Sequence, residues 1–153
     1  MQSLKKRVSA YFSKPEPTSP TDATIPPVPQ RPTKCILLGL KQSVIDNTIA
    51  ELRPDFSPAE FDFIPALGIE AMKDILQKQE IDHVFIGAGL PTDIRVEATK
   101  TVLETSLVTE VHLKNFSAGP QGYTPFIRML CNGIKHEKSL LAKQAQMKQN
   151  GHA

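Results

Sequence analysis

The sequence lacks the features that mark membrane proteins and disulfide-stabilised proteins. None of its apolar runs approaches the ~18 residues that a membrane span needs, and no apolar signal-peptide region follows the N-terminus. Its two cysteines, Cys35 and Cys131, have the spacing of neither a metal-binding pair nor a disulfide framework. We therefore predict an intracellular, cytoplasmic protein with two reduced thiols, no metal and no disulfide.

Residue types that carry catalysis are also scarce. His83 stands at the start of a predicted strand, away from its carboxyl end, and is interpreted as structural. His112 shares one face of a later strand with Glu110 and Lys114, which is typical of a solvated or dimer-facing edge. No Ser-His-Asp order, metal-ligand pair or carboxylate pair falls at a common sheet edge. The sequence therefore identifies no catalytic residue and leaves open whether the protein is an enzyme.

The net charge of +2 conceals a division along the chain. Residues 1–34 hold six Lys or Arg against two Asp or Glu, and residues 135–153 hold four against one. Residues 35–134, by contrast, hold eight basic side chains against thirteen acidic ones. An acidic centre with basic ends disfavours binding of nucleic acid by the folded part.

The N-terminal segment, residues 1–34, contains seven of the 13 prolines and is predicted to be disordered. Residues 1–14 are basic with apolar residues at helical spacing, so a mitochondrial presequence or surface anchor is the alternative to an unstructured start. Residues 26–31, PPVPQR, fit either a ligand of SH3-type domains or a stiff linker.

Residues 35–134 are predicted to form one α/β domain. Four short apolar or β-branched segments alternate with four amphipathic segments, which favours right-handed crossovers and a parallel sheet. We expect a doubly wound sheet in the order 2-1-3-4 with helices on both faces. The fourth strand alternates apolar with polar residues and is predicted to lie at an edge, where a homodimer contact is one option. Residues 135–153 are predicted to form a polar, loosely structured tail.

The predicted order places the loops after strands one and three beside each other, at the point where ligands bind in open α/β sheets. Ser43 and Thr92 are expected to cap the helices that follow these loops. The helix N-termini, the glycines and one lysine favour a small anion. Lys114, at the end of strand four, is expected to matter less. The predicted binding residues are Gly39, Lys41, Ser43, Gly87, Gly89 and Thr92.

Gly87-Ala88-Gly89 also resembles part of the dinucleotide-binding fingerprint, but Thr92 stands where the third glycine belongs. The motif follows the third strand, whereas the fingerprint normally follows the first. We therefore predict a ligand-binding or interaction module whose cofactor, if any, the sequence does not identify. The alternative is a small NAD(P)-type oxidoreductase that uses the same glycine-rich loops.

Short segments between residues 66 and 91 carry a family resemblance: ALGIEA at 66–71, Leu76, IDHVFI at 81–86 and GLP at 89–91. This stretch resembles the middle of a response-regulator receiver domain, which implies a receiver-like or small Rossmann-like fold. In that family a phospho-accepting Asp ends the third strand, where this chain has Gly87. Gly39 and Leu40 likewise replace the family's acidic pair. The resemblance therefore implies the fold and argues against phosphotransfer.

Overall fold

A computed structural model describes residues 30–115 and 122–151. The predictions for the basic N-terminal helix and nearly all of the proline-rich motif lie outside this range. Residues Arg31–Ala153 form one compact unit of the chain. Strands and helices alternate in the order β1 Thr33–Gly39, α1 Gln42–Leu52, β2 Phe61–Leu67, α2 Ile69–Lys78, β3 His83–Ile86, α3 Thr92–Thr105, β4 Glu110–Leu113 and α4 Tyr123–Asn150.

The four strands form one parallel sheet in the order β2-β1-β3-β4, which confirms the predicted architecture. The register places Leu37 of β1 beside Pro65 of β2 and Phe85 of β3. β1 and β3 are therefore central and buried on both faces, as their continuous apolar sequences predict. The chain reverses its direction across the sheet between these two strands, so the switch point lies where it was expected.

Successive residues of the central strands supply two separate cores because side chains alternate between the faces of a sheet. Ile36 and Leu38 pack with residues of α2 and α3 on one face. Cys35 and Leu37 pack with residues of α1 and α4 on the other, together with Phe85. Each helix buries an apolar stripe against the sheet, and the doubly wound architecture follows.

The contacts of the domain begin at Arg31, before residue 35, where the sequence predicted its start. β1 begins at Thr33, two residues before Cys35. Arg31 donates two hydrogen bonds to the carboxylate of Asp82, with lengths of 2.9 and 2.8 Å. The backbone N–H of Lys34 donates a third, 2.8 Å long, to the same carboxylate. Asp82, which lies between α2 and β3, thus holds the start of β1 in place beside β3.

Both outer strands fit their edge positions. β2 continues through Pro65 to Leu67, although the proline was expected to end it. An edge strand tolerates proline because alternate N–H groups point away from the sheet and need no strand partner. β4 forms the other edge, as its one polar face predicts.

The last helix is longer than the sequence suggested. Asn132 and Gly133 lie inside α4, which runs on to Asn150 through most of the segment predicted to be a loose tail. Lys, Gln, Ala and Leu dominate this segment and are good helix formers. Lys135 contacts Glu60 at 2.9 Å, and Lys138 donates a hydrogen bond to Thr33. Within the described residues, no helix has the combination of length and apolar character required to cross a bilayer.

The predicted helix caps are wrong. α1 begins at Gln42 with Lys41 as its N-cap, so Ser43 lies inside the first turn. Asp46, which was expected to complete a capping box, accepts a 2.8 Å hydrogen bond from the side chain of Gln42. α3 begins at Thr92 itself, and neither helix has a side-chain cap. Ser43 and Thr92 therefore have no role in starting these helices.

Candidate functional site

A pocket of about 500 Å³ opens at the carboxyl ends of β1 and β3, the position predicted for a ligand. We call it the switch-point pocket. It is bounded by the loop between β1 and α1, the loop between β3 and α3, the residue that follows β4 and the start of α4. Its volume falls within the range of small-molecule sites. Its lining includes Leu38, Gly39, Leu40, Lys41, Gly87, Gly89, Leu90, Lys114 and Tyr123.

Four of the six predicted binding residues line this pocket: Gly39, Lys41, Gly87 and Gly89. The other two do not. Ser43 is exposed on α1, and Thr92 lines a separate groove between α3 and β4. The expected pair of helix N-termini also changes, because the lining includes the N-cap of α1 and the first residue of α4 but not the first residue of α3.

Lys114, which was expected to matter less than the other predicted residues, also lines this pocket. It follows the last residue of β4, and only 8% of its surface is exposed. Its backbone N–H donates to the carbonyl of Ile86, and its own carbonyl accepts a hydrogen bond from Arg95. Its Nζ lies 3.4 Å from the carbonyl oxygen of Gly122. The backbone contacts thus hold a largely buried lysine side chain at the pocket.

Tyr123, the first residue of α4, closes one side of the pocket. Its hydroxyl donates a 2.6 Å hydrogen bond to the carbonyl of Phe85 and lies 3.3 Å from the carbonyl oxygen of Leu38. Leu38 and Phe85 are the last residues but one of the two central strands. Burial raises the pKa of the Tyr123 hydroxyl far above its ordinary value. The phenol therefore stays neutral and joins α4 to the sheet instead of serving as a base.

Two glycines of the pocket differ in the space that a side chain would have at their positions. A Cβ atom at Gly39 would lie 2.9 Å from Cγ1 of Ile45, so glycine is required there for close packing of β1 against α1. A Cβ atom at Gly89 would meet no atom within 4 Å, and its φ angle is not positive. A side chain at position 89 would therefore occupy open space beside the pocket without straining the backbone.

A second polar cluster lies at the opposite, amino-terminal end of β3. Nδ1 of His83 lies 3.0 Å from Nε2 of His112, and a carboxylate oxygen of Glu110 lies 3.4 and 3.7 Å from these two nitrogens. Burial lowers the pKa of both imidazoles, although the carboxylate opposes this effect. The sequence places Glu110 and His112 on one face of β4, but it does not show that His83 meets them, because 26 residues separate His83 from Glu110.

Cys35 stands beside His83 in the register of β1 and β3, on the face of the sheet that α1 and α4 cover. Cys35 and Cys131 are buried and unpaired. Burial raises the pKa of Cys131 to about 12 and raises that of Cys35 further. Both thiols are therefore protonated and act as small packing groups.

Comparisons with protein-family models, curated proteins and solved structures return no match for this chain. The resemblance of residues 66–91 to receiver domains therefore stays a prediction.

Proposed function

We propose that this chain is a binding module for a small organic anion and that the anion occupies the switch-point pocket. The observation that carries the proposal is the burial of Lys114. Among the described residues, none of the salt bridges includes this lysine, and the one hydrogen bond of its side chain is long. Burial of an ammonium group is costly unless an opposite charge compensates it. An anionic ligand would supply that charge.

The composition of the lining supports a ligand with an apolar body and one anionic group. Lys41 adds a second, exposed cation at the rim, and the helix N-termini of α1 and α4 add partial positive charge. The wall between them is mostly apolar and includes Leu38, Leu40 and Leu90. Within the described residues, the lining includes no carboxylate, histidine or cysteine to transfer a proton. This composition supports binding in preference to catalysis.

A thermal-shift screen of the full chain tests this proposal. The panel contains nucleotides, dinucleotides, sugar phosphates and acyl carboxylates. A ligand at about 100 times its Kd is expected to stabilise the fold by about 2.7 kcal/mol. A response among the phosphates or carboxylates is the expected result. A response confined to NAD(P) would instead favour the alternative function, a small oxidoreductase with a nicotinamide cofactor.

Variants of the two lysines locate the binding site. With the first ligand found, Lys114→Gln is expected to raise the Kd about 10- to 100-fold, because a hydrogen bond to a charged group contributes about 1.5–3 kcal/mol. Lys41→Ala is expected to have a smaller effect, because Lys41 is exposed. Gly89→Val should block the pocket sterically. Lys73→Ala, an exposed lysine on α2, is the control. Equal affinities for all four variants and the parent would contradict the proposal.

We propose self-association through the edge of β4 as a second function. The observation that favours it is a group of exposed apolar side chains on α3 and around β4. The group consists of Val96, Leu103, Leu107, Val108 and Leu113, with exposed fractions between 45% and 98%. Exposed apolar groups beside an unpaired strand edge favour an interface. Antiparallel pairing of two β4 edges would cover these side chains in both copies.

Sedimentation and light scattering test this second function. The full chain is expected to show a concentration-dependent mass above the 16.9 kDa of one copy. Leu103→Glu with Leu107→Glu should return it to that mass, because two like charges would be brought into the interface. Leu141→Glu, an exposed site on α4, should leave the mass unchanged. A parent chain that keeps the mass of one copy at high concentration would refute self-association.

A further inference from the structure

Three side chains with metal-binding atoms converge on one face of the sheet, away from the switch-point pocket. In the register of β3 and β4, His83 pairs with Glu110, and His112 stands two residues further along β4. Residues two apart on a strand share a face. The three side chains therefore project to the same side, the side on which Phe85 packs against α1 and α4.

The distances among the three atoms match those around a single metal ion. Nδ1 of His83, Nε2 of His112 and the Glu110 oxygen are separated by 3.0, 3.4 and 3.7 Å. A tetrahedral Zn²⁺ with bonds of about 2.0–2.1 Å holds its ligand atoms about 3.3 Å apart. We propose that His83, Glu110 and His112 form a binding site for a divalent transition-metal ion of the Zn²⁺ class.

The chemistry of the three groups fits that class of ion. Imidazole nitrogens suit zinc, copper and nickel, whereas calcium and magnesium prefer oxygen atoms. Two imidazoles and one carboxylate are a known ligand combination for zinc with a water molecule in the fourth position. The imidazole side chains are 11% and 19% exposed, and that of Glu110 is 69% exposed. The histidines are therefore held in place by burial, while the carboxylate side leaves a path for the ion.

A hydrogen bond between the two imidazoles explains part of the arrangement. It accounts for the 3.0 Å contact between the two nitrogens. It does not account for the carboxylate oxygen that faces both of these nitrogens. One metal ion placed between the three atoms would be coordinated by all of them.

Cobalt titration of the full, untagged chain tests the site after metal removal with a chelator. One equivalent of Co²⁺ is expected to bind and to give the visible absorption of tetrahedral cobalt, and Zn²⁺ should displace it. Glu110→Gln is the first variant, because this largely exposed side chain can be changed without disturbing the core. It should weaken binding by at least about tenfold, since even groups that only support a metal ligand contribute 10- to 100-fold. His112→Ala should abolish the cobalt spectrum.

The other two histidines of the sequence provide the matched control. A double variant, His136→Ala with His152→Ala, should bind Co²⁺ as the parent does. Circular dichroism without metal shows whether each variant is folded. Failure of the parent to bind Co²⁺ or Zn²⁺ overturns the proposal, and so does unchanged binding by Glu110→Gln. Because the site is independent of Lys114, its failure would leave the proposal for the switch-point pocket unaffected.

Discussion

Replacement of Phe85 by alanine is expected to lower the free energy of unfolding by about 3–5 kcal/mol, the cost of removing a large aromatic side chain from a core. Phe85 is fully buried on the central strand β3. It belongs to the core between the sheet and α1 and α4, and its ring stacks against that of His112 at 5.2 Å. The cavity would therefore lie between the sheet and helices α1 and α4. Neither helix can move inward on its own to fill it.

Urea unfolding followed by circular dichroism measures this effect. Phe85→Leu should cost less, because it keeps much of the buried volume. Leu141→Ala, on an exposed part of α4, should change the free energy by no more than about 0.5 kcal/mol. If Phe85→Ala were as stable as Leu141→Ala, the packing described for this core would be wrong.

Removal of the Tyr123 hydroxyl is the second large effect that we expect. Tyr123→Phe should lower the free energy of unfolding by about 0.5–1.5 kcal/mol, because it removes the hydrogen bond that the hydroxyl donates to the carbonyl of Phe85. The hydroxyl donates to the carbonyl of Phe85 and lies near that of Leu38, so it joins α4 to both central strands. The ring itself remains, so the shape of the switch-point pocket should be retained.

Ser43→Ala is the control for Tyr123→Phe, because it also removes one hydroxyl group. Ser43 also carries a hydroxyl, but it is exposed and does not cap α1. Ser43→Ala should therefore leave the urea midpoint close to that of the parent, whereas loss of a working cap would cost about 1 kcal/mol. Equal loss in the two variants would show that the hydroxyl of Tyr123 has no special role and that α1 is capped after all.

The fold could be predicted because its signals are local. Continuous apolar segments such as residues 35–38 and 84–86 are typical of strands covered on both faces. The alternation at Glu110, Val111 and His112 indicates an edge strand before any partner is known. Helix starts were predicted less well. The competing hydrogen bond from Gln42 to Asp46, which removes the expected capping partner of Ser43, depends on side-chain geometry.

The candidate sites were predicted only in part for the same reason. Gly39, Lys41, Gly87 and Gly89 could be placed at one sheet edge because each follows a central strand. Lys114 follows β4 at that same edge, so its position beside these residues could also have been predicted. The burial of Lys114 could not have been predicted, because burial depends on which distant parts of the chain surround the side chain.

The sequence by itself determined the alternation of strands and helices, the order of the strands and the edge of the sheet at which the switch-point pocket opens. These properties follow from hydrophobic periodicity and from the handedness of crossovers, which act over short stretches of chain. Only the tertiary structure decided that Lys114 is buried with no carboxylate partner among the described residues, that Tyr123 contacts both central strands, and that His83 meets Glu110 and His112. Each of these contacts joins residues from separate elements, and its distance is set by packing that no local pattern encodes.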